Sequence, residues 1–236
     1  MRRANARSAV VWEDLDPLLT DGQRLEVLDI GGGTGVSAVR IAELGHRVSV
    51  IDPSPDALAA LARRAREADV EVTAHQGDLA LLGDAVAAGD IAPVDLVLCH
   101  GVLEVVSDTA AALTGIRDAL RPSGALSLLV GQRSAAVLAR AMAGHFGQAR
   151  DLLDDTSALG RSGRRFTVDE VTSAVRSAGL EVHSVHGVRV FTDLVPGSLL
   201  DLEPGAASAL VDLELAVAAR SDYLPMATQL HLIATR

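Results

Sequence analysis

The residues Asp29-Ile30-Gly31-Gly32-Gly33-Thr34-Gly35 follow the apolar run Leu25 to Leu28 and precede the helical pattern Val36 to Leu44. A strand, a glycine turn and a helix start in that order form a cradle for a nucleotide-type ligand. Glycine lets the backbone bend sharply and approach a ligand that a Cβ would hold off, and the helix behind offers unpaired amides. A dinucleotide cradle needs glycine at its first, third and sixth positions to take a pyrophosphate, and counting from Gly31 the sixth is Val36. The pattern is instead Asp-x-Gly-x-Gly-x-Gly. An acid ending the first strand suits a ligand with an ammonium group and no phosphate. That favours S-adenosylmethionine, with S-adenosylhomocysteine as product, over a nicotinamide dinucleotide. Gly31, Gly32, Gly33 and Gly35 then line the cofactor, and Asp29 either reaches its amino group or caps the turn.

Asp52 ends the second apolar run, where an acid can accept both ribose hydroxyls of an adenosyl group or, alternatively, cap a helix beginning at Pro53-Ser54-Pro55. Asp78, in Gln76-Gly77-Asp78-Leu79, can accept from an adenine amino group with Leu79 against the ring, or simply make a turn. His100 follows the fourth run at the same rim, as a structural or a catalytic imidazole. Glu104 reads better as a solvated acid starting the next helix than as a pocket residue. His183 and His186 lie three apart in a strand, so they are expected on opposite faces and unable to share a metal. Arg161, Arg164 and Arg165 form a solvated charge run or an anion-binding loop.

The elements that position these residues alternate. Strands are expected at Leu25 to Ile30, Arg47 to Asp52, Val70 to His75, Val94 to Cys99, Ala125 to Val130, Glu181 to His186 and Gln229 to Ala234. Helices lie between, with Pro55 in one first turn, Asp108 as a cap and a capping box at Thr167-Val168-Asp169-Glu170. Pro122-Ser123-Gly124 reads as a turn. This βαβ alternation makes an α/β fold, mostly a parallel sheet, with the last two strands as an antiparallel edge. Ligands bind beyond the carboxyl ends of such strands, which brings the glycine loop, Asp52, Asp78 and His100 to one rim.

The 236 residues show no repeat or linker and read as a single domain, 1–236, with an N-terminal helical segment at 1–24 and a substrate-side insertion at 131–166. Hydrophobic residues make up 49% and mean hydropathy is +0.28, yet no apolar run is long enough for a bilayer. The basic start lacks an apolar signal core, so a cytoplasmic protein is expected. Cys99 is the single cysteine and is expected buried at a strand end; no metal site is visible. A formal charge of −10 weighs against broad nucleic-acid binding, and 2% aromatic residues leave few platforms for a splayed-out base.

Together these residues resemble the class I S-adenosylmethionine-dependent methyltransferases, in which the glycine loop, the second-strand acid and a Leu-Arg-Pro-Ser-Gly turn recur in this order. Within them the chain is similar to the tRNA 5-carboxymethoxyuridine methyltransferase family, which methylates a carboxylate on the wobble uridine of certain tRNAs. The likeness runs almost end to end. It rests on Arg7-Ser8-Ala9-Val10-Val11-Trp12-Glu13-Asp14-Leu15-Asp16, on Leu28 to Gly33, on Val94 to Glu104, and on Gly187-Val188-Arg189-Val190-Phe191. The resemblance implies a Rossmann-like fold of seven strands with helices on both faces. It also implies that Arg7, Gly31, Gly32, Asp52 and His100 contact the cofactor, Arg7 at its carboxylate, with Gly77 and Asp78 in the adenine loop.

Methyl transfer from a sulfonium is an in-line displacement, so alignment and exclusion of water dominate. A carboxylate acceptor is already ionised and needs no base, whereas a hydroxyl would call on His100 or Glu104. Arg189 or the Arg161 to Arg165 loop is expected to orient an anionic acceptor. The alternatives are a small-molecule methyltransferase with a remodelled acceptor pocket and a cofactor-binding protein without catalysis.

Overall fold

The computed structural model describes residues 2–153, 163–202 and 204–236, with side chains from Ser8 onward outside 201–203. Seven strands form one sheet: β1 (Glu26–Ile30), β2 (Arg47–Asp52), β3 (Val72–Gln76), β4 (Val94–His100), β5 (Leu120–Gly131), β6 (Glu181–Val188) and β7 (Gln229–Thr235). Between and around them run α1 (Arg2–Leu19), α2 (Val36–Glu43), α3 (Pro55–Glu67), α4 (Leu82–Ala88), α5 (Thr109–Ala119), α6 (Arg133–Met142), α7 (Phe146–Asp151), α8 (Val168–Ser177), α9 (Gly197–Leu202) and α10 (Ala206–Ala218).

The strand order is β3-β2-β1-β4-β5-β7-β6. Strands β1 to β5 pair in parallel and β7 runs antiparallel between β5 and β6, as the alternation of elements requires. Side chains alternate across the sheet into two cores. Leu28, Ile30, Val97 and Cys99 join residues of α5 and α8 on one side, and Val27, Val50, Leu96 and Leu98 join α1, α2 and α3 on the other. Cys99 is fully buried one residue from the end of β4. The chain doubles back between β1 and β4, so a crevice opens at their carboxyl ends.

Caps fix the helix starts. Ser54, not Asp52, caps α3 by accepting from the Ala57 amide; Asp108 caps α5, and Thr167 and Glu170 form the capping box of α8. The Pro122-Ser123-Gly124 turn lies inside β5 as a bulge, because Val94 pairs with Leu120 ahead of it and Leu96 with Ala125 beyond it. A second irregularity, between Val182 and Ser184, corrects the expectation that His183 and His186 point apart. His183 bonds Thr235 and His186 is paired with His231; those partners lie on one face of β7, so the extra residue has returned both histidines to one side. Among the described residues no cluster could hold a metal, and no helix is long and apolar enough to cross a membrane.

Candidate functional site

The glycine loop is closed to side chains. Gly31, Gly33 and Gly35 have φ of 69°, 55° and 77°, a backbone that L side chains rarely adopt. A Cβ on Gly32 would sit 2.7 Å from Asp29 Oδ2, and one on Gly31 would sit 2.3 Å from Val102 Cγ2 in the loop after β4. Under this loop Asp29 is 4% exposed and its Oδ2 has no hydrogen-bond partner among the described residues. Burial, with the Asp52 charge added, pushes its carboxyl up to about 7. A buried carboxylate without a cation is the group an ammonium would satisfy.

Asp52 ends β2 with both oxygens turned to backbone: Oδ2 accepts from the Gly33 amide at 2.9 Å and Oδ1 from Ser54 at 2.8 Å. Each oxygen keeps a further acceptor site, enough for two vicinal hydroxyls. The Gly77 amide bonds the Asp52 carbonyl at 3.2 Å, which ties the third-strand loop to this position. Asp78 caps the turn Leu79–Leu81 through the Ala80 amide. Leu79 departs from expectation: its side chain is 3% exposed and belongs to the core with Leu28 and Ile51 instead of lining an open ring site.

His100 stands at the β4 end and bonds the Ser127 hydroxyl at 2.8 Å. Burial, with His231 nearby, pushes its pKa down to about 3, so the ring is neutral near pH 7. Glu104 is not the solvated acid that the sequence suggested. It is 8% exposed, because Oε1 takes the Gly131 amide at the end of β5 and its carbonyl takes the Arg164 amide. Its Oε2 has no partner among the described residues, and desolvation leaves the carboxyl above its ordinary value.

Next to Gly131 opens a cleft of about 290 Å³, lined by Gln132, Ala135, Ala139, Arg165, Met226 and Thr228 among others. Arg165 crosses the Gly131 backbone, and its charge acts on Glu104 through space. Arg164 instead lies over the Phe166 ring, 4.8 Å from its centroid. Arg189 has φ 63°, pairs with Asp193 and reaches Gln229 at 3.3 Å. The side chains of Arg7 and Arg161 lie outside the described residues. Sequence reasoning missed Asp14, Ser127 and His231, which join His100 only through the pairing of β4, β5 and β7 and the packing of α1 against them.

An open, mostly parallel sheet with this glycine loop, a buried acid beneath it and a second acid ending β2 is the architecture of the class I S-adenosylmethionine-dependent methyltransferases. A family model described as "Methyltransferase domain" matches residues 28–126. A relative named tRNA 5-carboxymethoxyuridine methyltransferase, from Escherichia coli, is 30% identical over 99% of this chain and 89% of its own. The chain belongs to the S-adenosylmethionine-dependent methyltransferases, in the family of that relative. A ubiquinone biosynthesis O-methyltransferase of Xanthomonas axonopodis is 29% identical over 69% of this chain and 65% of its own. The crystal structure of an S-adenosylmethionine-dependent methyltransferase from Mesorhizobium loti shares the fold, with a TM-score of 0.62 at 20% identity over 99% of this chain and 100% of that one.

Proposed function

We propose that this methyltransferase transfers its methyl group to an oxygen of an anionic acceptor, a carboxylate, seated in the cleft beside Gly131. The observation that carries the reading is Arg165, whose guanidinium makes no hydrogen bond among the described residues while lining that cleft. An arginine fork matches a carboxylate and orients one oxygen for in-line attack. Arg189 is less suited, because Asp193 already neutralises it.

Bound at the rim, S-adenosylmethionine supplies an electrophilic methyl on a sulfonium. In this reading Asp52 holds the ribose hydroxyls, Gly77 and Asp78 border the adenine, and Arg7 takes the methionine carboxylate. Asp29 and the loop of Gly31, Gly32, Gly33 and Gly35 answer the ammonium. His100, neutral near pH 7, serves as a hydrogen-bond group and not as a base. An ionised carboxylate needs no proton removed.

The name of the Escherichia coli relative supports a nucleoside carboxylate on tRNA as the acceptor. The Ala135 and Ala139 lining, without an aromatic ring among the described residues, supports a small carboxylic acid instead. Radiolabelled methyl transfer tests both with one panel: tRNA bearing 5-carboxymethoxyuridine, and apolar monocarboxylates. Incorporation as an alkali-labile ester that falls at least tenfold in Arg165→Ala is expected with one arm. Alkali-stable product would overturn the carboxylate reading. It would leave a hydroxyl acceptor with Glu104, buried and raised, as its base.

A further inference from the structure

Five side chains from five elements form one continuous hydrogen-bonded chain across the α1 face of the sheet. His100 Nε2 meets Ser127 Oγ at 2.8 Å, and Ser127 Oγ meets His231 Nε2 at 2.7 Å. His231 Nδ1 meets Asp14 Oδ2 at 2.6 Å, and His186 Nδ1 meets the same oxygen at 2.7 Å. Ser127 and His231 are fully buried, in β5 and β7, and Asp14 lies on α1.

Proton counting gives this chain a direction. Burial alone would raise the Asp14 carboxyl, but the bonds to His186 and His231 outweigh it and bring it below its ordinary value, so Asp14 is ionised and can only accept. When His231 holds a single ring proton, that proton is on Nδ1, facing Asp14, and Nε2 is left as a lone pair. The single hydroxyl proton of Ser127 goes to that lone pair, and the Ser127 oxygen has only lone pairs left for His100. Any donor between them must be His100 Nε2–H. A neutral imidazole protonated on Nε2 has a bare Nδ1.

We infer that Asp14, His231 and Ser127 are positioning residues that lock His100 as its Nε2–H tautomer, so that the Nδ1 it offers at the rim is an acceptor only. Its partner is then a hydrogen-bond donor of the bound cofactor, an ammonium or a hydroxyl, and never a carboxylate. The placement fits, since Gly101 and Val102 lead directly from His100 to contact with Gly31. Nothing in this depends on which acceptor is methylated, because it concerns the cofactor side of the rim.

The test is long-range ¹H–¹⁵N correlation spectroscopy of the ¹⁵N-histidine-labelled full chain, in which the two tautomers give distinct cross-peak patterns. The wild type should show His100 as Nε2–H alone, and saturating S-adenosylhomocysteine should shift its Nδ1 resonance upfield. Ser127→Ala should give a mixture of tautomers and Ser127→Thr should restore one. Asp14→Ala should produce a mixture from two hydrogen bonds further away, which loss of local packing alone would not do. Should Ser127→Ala fail to fold, the wild-type spectrum and Asp14→Ala decide. A wild-type His100 protonated on Nδ1, or a single tautomer persisting in Asp14→Ala, would overturn the lock. An unmoved Nδ1 resonance at saturation would overturn the assignment of its partner.

Discussion

Asp52 raises the carboxyl of Asp29 across the glycine loop, even though both Asp52 oxygens are engaged by backbone amides. Burial is the larger cause, and the two together bring Asp29 to about 7 from an ordinary value of 3.8. The unfolded chain releases this proton near the ordinary value and the native chain holds it. The native state is therefore favoured in acid and loses stability as pH rises from about 4 to about 7. At full ionisation the cost is roughly 4 kcal/mol. Asp29→Asn should remove that slope, making the ligand-free protein more stable than wild type at pH 8 and equal near pH 4. Urea denaturation at the two pH values measures it, and parallel slopes in the two proteins would contradict the assignment.

Asp52 has a second role with the opposite consequence. Its removal frees the Gly33 and Ser54 amides as well as the proposed ribose contacts. Asp52→Ala should weaken S-adenosylhomocysteine by roughly ten- to a hundredfold, the range expected for one or two hydrogen bonds to a charged group. Calorimetric titration reads this directly. Affinity within a factor of two of wild type would move the adenosyl site elsewhere.

Gly35 is set by two constraints at once. Its φ is 77°, and a Cβ would lie 2.0 Å from Leu61 Cδ1 on α3. Gly35→Ala should therefore cost roughly 2–5 kcal/mol, left-handed strain plus overpacking. Leu61→Ala alone opens a cavity in the core, but beside Gly35→Ala it removes the clash, so the two together should cost less than the sum of the single substitutions. A Tm unchanged by the single substitution would show that the loop can relax without cost.

Much of this was legible in the sequence because it is local. The glycine loop, the caps at Asp108 and Thr167 and the succession of strands and helices along the chain each follow from neighbouring residues, and the structure repeats them. What was not legible is set by register. Glu104 reads as a surface acid until Gly131 arrives beside it on the next strand, and His183 and His186 seem to diverge until a bulge turns them together. Leu79 shows the converse, since its spacing suggested a ligand contact while the core claims its side chain. Asp14 and His231 are separated by 217 positions, and no periodicity joins them.

Glu214 is the strongest such non-local anchor. Fully buried on α10, it accepts from the amides of Val190, Phe191 and Thr192 at 2.9, 2.9 and 2.7 Å and from the Thr192 hydroxyl at 2.6 Å. Those donors lie directly after Arg189, whose positive φ carries the chain out of β6. Glu214→Ala leaves all of them without an acceptor in the interior and should cost roughly 3–5 kcal/mol. Glu214→Gln keeps the shape but turns one oxygen into a donor facing a donor, so it should fall between wild type and alanine. If Arg189 acts only as a strut paired to Asp193, both variants should lower Tm while leaving S-adenosylhomocysteine affinity unchanged, because the glycine loop lies at the far side of β4 and β5. Thermal melts and calorimetry on the same samples check both halves, and an alanine variant within about 1 kcal/mol of wild type would show that water replaces the carboxylate.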